Sequence, residues 1–153
     1  MGQQVIHQMA TTAADPGRVY ALLADGSTWP QWSPLGSFEL LEPGDGRPEG
    51  LGAVRRFTTG RRQSTERVVE RRPGEKFSYV LVSGLPLRHY RADVTLTPAP
   101  GGTAITWHST FRAKVPGTGG LYRGVLSAFI GKCVEGLAKA SERSAADRST
   151  VQS

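Results

Sequence analysis

Residues 121–143 read LYRGVLSAFIGKCVEGLAKASER, and the fold turns on that stretch. Apolar side chains recur at Tyr122, Leu126, Phe129, Cys133, Leu137 and Ala140, in steps of four and three. Ile130 and Val134 widen the stripe, while Arg123, Ser127, Lys132, Glu135, Lys139 and Glu142 fall mostly on the other side. That spacing predicts a helix of roughly six turns lying on an apolar partner. Gly119 and Gly120 start it flexibly, and Gly124, Ala128, Gly131 and Gly136 leave gaps along it. Each interior glycine costs about 1 kcal/mol relative to alanine. Their number points either to close packing or to room left for something else.

Almost everything upstream reads as β-strand. Val5–Thr12 alternates loosely and forms a first strand. Asp15-Pro16 then supplies an N-cap and a proline at the first helical position. Val19, Leu22 and Leu23 give a short apolar face before Asp25-Gly26 ends the helix. Ser27–Pro34, with Trp29 and Trp32 around Pro30, reads as a second short helix or tight bend. Five runs then alternate between turn signals: 37–41, 53–59, 64–71, 77–82 and 88–97. Pro98–Gly102 reads as a loop, and Thr103–Ala113 alternates as Ile105, Trp107, Ser109 and Phe111. The order is strand, two short helices, six strands, long helix. Hairpin-length connections favour an antiparallel sheet, hence an α+β fold in which the sheet closes around the last helix. The tail 144–153 (SAADRSTVQS) has no apolar face and is expected to be disordered.

A chain of 153 residues makes one domain with a sizeable core, here placed at 1–143. No apolar run is long enough for a membrane span, and MGQQVIHQMATT lacks the pattern of a secretory signal. Cys133 is the single cysteine and sits on the apolar stripe, so it reads as a small buried thiol in a reducing, cytoplasmic protein. Of the net charge of +6, much comes from seven arginines between Arg55 and Arg72. On alternating strands these face solvent and blunt edge pairing. With no nucleic-acid motif beside them, no nucleic-acid partner is expected. His7, His89 and His108 lie in separate strands without ligand spacing, so no metal site is expected. His89 and His108 share the outward parity of their strands, which fits a surface pair.

Strand parity yields the informative constellation. If Phe57 faces the core, so do Ala53 and Arg55; Phe77, Tyr79 and Leu81 share a face with Tyr90 and Trp107. Glu66, with Val68, joins them on the inner surface. Buried arginine, glutamate and phenols need partners. Two readings follow: an Arg55–Glu66 salt bridge that stiffens adjacent strands among ordinary core tyrosines, or a mostly apolar cavity whose few polar groups orient a ligand.

The ordered set of motifs resembles the SRPBCC (START/pollen-allergen-like) superfamily, in its small bacterial polyketide cyclase/dehydrase form. The residues that carry it are Asp15-Pro16-x-x-Val19-Tyr20-x-Leu22-Leu23, Trp29-Pro30-x-Trp32, Gly50-Leu51-Gly52-Ala53-Val54-Arg55-Arg56 and Glu66-Arg67-Val68-Val69-Glu70. Tyr79, Leu85-Pro86-Leu87 with Tyr90, and Gly101-Gly102-Thr103-x-x-x-Trp107 continue it. The resemblance implies a helix-grip fold: a seven-stranded antiparallel sheet curled around the C-terminal helix, two short helices after strand 1, and a cavity for hydrophobic molecules between sheet and helix. Gly124, Gly131 and Gly136 would then be slack against that cavity.

Three functions remain open at this point. A carrier or sensor would bind a lipid- or polyketide-like molecule through Trp32, Arg55, Phe57, Glu66, Tyr79, Tyr90, Trp107, Tyr122 and Phe129. A cyclase or dehydratase would use Arg55 to stabilise an enolate and Tyr79 or Tyr90 to donate a proton. A partner-binding stress or toxin-like module with no ligand would use the arginine-rich outer face; under any of these readings a monomer or homodimer is expected. No cofactor is implied. An open cavity reaching Arg55 favours the first two, and side chains filling it favour the third.

Overall fold

In the computed structural model the backbone of residues 2–152 and the side chains of residues 2–143 are described; the side chains of the tail expected to be disordered, 144–153, lie outside them. The strands are β1 (Gln4–Thr12), β2 (Ser37–Glu42), β3 (Val54–Thr59), β4 (Arg62–Arg72), β5 (Lys76–Ser83), β6 (Leu87–Ala99) and β7 (Gly102–Ala113). The helices are α1 (Pro16–Ala24), α2 (Trp29–Trp32), preceded by a 3-10 turn at Gly26–Thr28, and α3 (Gly119–Gln152). All seven strands form one antiparallel sheet in the order β1-β7-β6-β5-β4-β3-β2. This is the expected helix-grip fold.

Local chemistry explains the boundaries. Asp15 caps α1 by accepting from the Arg18 backbone N–H at 2.9 Å, with Pro16 in the first turn. Asp25 repeats the device on the 3-10 turn, accepting from the Ser27 N–H at 3.1 Å. Ser33 ends α2 in an extended conformation that suits the residue before Pro34. The expected 98–102 loop is shorter than read: β6 runs to Ala99 and β7 begins at Gly102, because Gly101 takes the left-handed conformation (φ 77°) of a tight turn.

β6 carries a register shift between Arg88 and Arg91, with His89 at φ 56°. This bulge leaves both Arg88 and His89 exposed and returns Tyr90 to the core. The expected surface pair does not form, because His108 stands opposite Asp93, four residues along β6 from His89, and faces His7 across β1 and β7, their ring centroids 6.3 Å apart. Several arginines of the outer face are held in ion pairs, Arg56 with Glu39, Arg67 with Glu42, and Arg91 with Glu70 and Asp93.

α3 packs chiefly on β1, with smaller contacts to α1, β7 and α2. Gln8 on β1 donates to the Ser127 carbonyl and hydroxyl at 3.2 and 2.9 Å, and Thr12 donates to the Ala138 carbonyl at 3.0 Å. The helix glycines do not serve one purpose. A Cβ on Gly136 would stand 1.7 Å from the Trp32 carbonyl oxygen, so this glycine is a close approach of α3 to α2 and not slack. Gly131 faces the Gln8 side chain at 3.7 Å, and Gly124 faces open space.

Candidate functional site

Arg55 lies on the inner face of β3 and is fully buried. Its Nη2 donates to Glu66 Oε1 at 2.7 Å, and its Nη1 to Glu49 Oε1 at 3.2 Å and the Leu23 carbonyl at 3.4 Å. The guanidinium stands 4.8, 5.0 and 5.4 Å from the ring centroids of Trp29, Phe77 and Phe57. Burial pushes the Glu66 carboxyl above its ordinary range, with Arg55 pulling the other way. The adjacent register Arg55↔Glu66 makes this pair, as the parity reading allowed.

Two residues of this cluster escaped the sequence reading. Glu49 reaches it because the 43–53 connection doubles back, with the Gly44 N–H bonded to the Pro48 carbonyl and that of Asp45 to the Leu51 carbonyl. Its carboxylate also accepts from the Gly26 N–H at 2.8 Å, tying the connection to the helices. Trp29 sits at the centre of the aromatic interior, 4.9 Å from Trp32, 5.2 Å from Phe57, 5.7 Å from Trp107 and 5.9 Å from Tyr79, centroid to centroid. Its indole N–H donates to the Leu23 carbonyl at 3.0 Å. The Trp-Pro-x-Trp sequence was the available signal: both indoles lie on one short helix, so burying one brings in the other.

The sequence-selected residues divide into two groups. Trp32, Arg55, Phe57, Glu66 and Trp107 are brought together with Trp29 and are buried. Side chains fill the space around Arg55. Tyr122 and Phe129, on the first half of α3, are only half-buried and pack against the core from its edge.

Tyr79 and Tyr90 are buried with the first group, their rings 6.3 Å apart and Tyr79 5.9 Å from Trp29, with the Tyr90 hydroxyl 3.1 Å from Ser109 Oγ. Burial pushes the Tyr90 phenol up to about 12 against the Ser109 hydrogen bond, and burial raises Tyr79 well above its ordinary value. Both therefore remain proton donors at neutral pH. The buried Trp107 Nε1 finds no partner among the described residues. Cys133 is buried, and that burial pushes its thiol up, as expected of an unreactive core cysteine.

Two concavities open on the surface away from Arg55. One, of about 450 Å³, lies on α1 and is lined by Asp15, Arg18, Leu22, Asp25 and Thr28 among others. The other, of about 380 Å³, lies where β6 begins, β7 ends and α3 starts. No helix among the described residues is long and apolar enough to cross a membrane.

Known proteins place this geometry. The family model described as polyketide cyclase/dehydrase and lipid transport matches residues 3–142. The chain belongs to that family, within the START-like SRPBCC superfamily. A START superfamily protein from Mycobacterium smegmatis is similar over 93% of this chain and 99% of its own, at 16% identity and a TM-score of 0.78. A Thermobifida fusca protein is similar over 91% and 93%, at 23% identity and a TM-score of 0.74. Norcoclaurine synthase from Thalictrum flavum, in complex with dopamine and hydroxybenzaldehyde, is similar over 91% and 86%, at 13% identity and a TM-score of 0.70. At such identities the likeness is one of fold. No curated protein matches the chain.

Proposed function

We propose that this family member binds a hydrophobic or aromatic small molecule between the sheet and the first half of α3. One observation carries the reading. In the second half of the helix Ile130, Cys133, Val134, Leu137 and Ala138 are buried. In the first half the same stripe, Tyr122, Leu126 and Phe129, stays half-exposed although it packs against the core. A ligand of apolar character would cover that stripe and gain about 25 cal/mol for each Å² removed from water. Tyr79 and Tyr90, buried and protonated, would be the donors to an oxygen on the ligand. Norcoclaurine synthase, which shares the fold, holds small aromatic molecules, in keeping with this ligand class.

The enzyme alternative, a cyclase or dehydratase, needs Arg55 to meet an enolate. Its guanidinium already serves Glu66 and Glu49 in a filled interior, which counts against both a cyclase and a ligand at Arg55 and reads the Arg55–Glu66 pair as structural; the binding reading rests instead on the half-exposed stripe of α3, away from Arg55.

Native mass spectrometry followed by a thermal-shift screen of fatty acids, sterols, flavonoids and aromatic polyketides tests this. A ligand at 100 times its Kd stabilises the fold by about 2.7 kcal/mol. Leu126→Trp, which fills the half-buried stripe, is expected to abolish the shift while the protein stays folded. A hit whose effect survives Leu126→Trp would place the ligand elsewhere, and no hit from the whole screen would defeat the proposal.

A further inference from the structure

None of the chain's acidic residues lies between Asp93 and Glu135. That span carries Arg112, Lys114, Arg123 and Lys132, four cations and no acid, against a net +6 for the whole protein. In the fold it becomes the end of β6, all of β7, the 114–118 connection and the first half of α3. Arg88, from the bulged start of β6, joins Arg112 and Lys114 in lining the 380 Å³ cleft at this end of the molecule.

Large apolar side chains are exposed at the same end. Val115, in the cleft wall, is 54% exposed, and Leu121 and Val125 are 66% and 58% exposed. Leu121 and Val125 lie one turn apart on the side of α3 away from its buried face. Single exposed apolar residues are ordinary, but three close together beside a basic cleft with no acid in the span mark an interaction surface.

We propose that this end of the molecule docks on an anionic lipid bilayer. Leu121, Val125 and Val115 would enter the headgroup layer, and Arg88, Arg112 and Lys114 would meet lipid phosphates. Charge selects this partner. The apolar groups alone would suit many surfaces, whereas cations without an interspersed acid complement a surface of one sign. The proposal stands whether or not the interior holds a ligand.

Sedimentation of the full chain with phosphatidylcholine vesicles, with and without phosphatidylglycerol, is the test. Binding is expected only when phosphatidylglycerol is present. Leu121→Ser with Val125→Ser should weaken it at least tenfold, and Lys114→Ala about fivefold. These side chains are exposed, so an unchanged Tm should accompany each loss. No sedimentation with phosphatidylglycerol would overturn the proposal. So would binding unaffected by the double serine variant, which would reduce it to diffuse attraction by a positive protein. Full competition by free glycerol phosphate would also overturn it, by assigning the cleft to a small anion.

Discussion

The two halves of α3 have the same apolar periodicity and different surroundings. In the second half Ile130, Cys133, Val134, Leu137, Ala138 and Ser141 are buried, α2 lies against it with the Trp32 carbonyl on Gly136, and the Ser141 hydroxyl donates back to the Leu137 carbonyl at 2.8 Å. Under 119–129 the stripe is half-covered and its flank at Leu121 and Val125 is bare. Amphipathic spacing shows which side of a helix faces inward; how deeply that side is buried depends on what the rest of the chain delivers beneath it. Here the delivery is uneven because α2 carries two indoles to one end only.

The sharpest way to break this contrast is at the sealed end. Arg55→Ala would leave Glu66 buried without its closest counter-charge and is expected to cost about 3–5 kcal/mol, measured by urea unfolding. Trp29→Ala should cost a similar amount through the cavity it opens. A loss below about 1 kcal/mol for either, within the ordinary range of surface substitutions, would mean that this half is not the rigid one.

Alkaline titration probes the buried phenol of Tyr90, on the sheet beneath. The Tyr90 phenol is raised in the folded state to about 12 from an ordinary value near 10. Its contribution is therefore fully present below pH 10 and is lost as pH rises towards 12. Two units amount to about 2–3 kcal/mol. Unfolding midpoints from pH 9 to 12 should fall more steeply for the native protein than for Tyr90→Phe. Parallel curves would show that water already reaches this hydroxyl.

Two glycines sharpen the comparison at smaller amplitude. Gly136→Ala drives a methyl into the Trp32 carbonyl and should destabilise by about 1–3 kcal/mol. Gly124→Ala meets nothing within 4 Å and should stabilise the helix by about 0.5–1 kcal/mol. Thermal unfolding of the pair reads both signs, and the same sign for both would contradict the assignment of close packing to one half and open space to the other.

Much of this was legible in the residues. The 121–143 spacing gave the helix, period-two runs gave the strands, and Asp15-Pro16 marked the start of α1, because each depends on neighbours within a turn or a pleat. Parity correctly set Arg55, Glu66, Tyr79, Tyr90 and Trp107 on one face. It failed at Arg88, which shares the parity of Tyr90 but is exposed beside His89, because a bulge takes an extra residue out of register without altering the composition around it. Glu49 was invisible for another reason: it acts through a doubled-back connection, and no local pattern reports where an irregular segment returns. Trp29 was visible as part of a motif but not as the hub of the interior.

The sequence by itself determined the element order, the α+β class and the inward-facing set, since these follow from periodicity, capping and turn chemistry acting over a few residues. Only the tertiary structure decided that Arg55 is enclosed by two carboxylates and three rings, that Gly136 is a contact and Gly124 a gap, and that α3 is sealed along one half. Those outcomes depend on distances between segments as many as about a hundred residues apart, such as Trp32 and Gly136. Such distances are set by how sheet, short helices and long helix pack together, and no single stretch of chain encodes them.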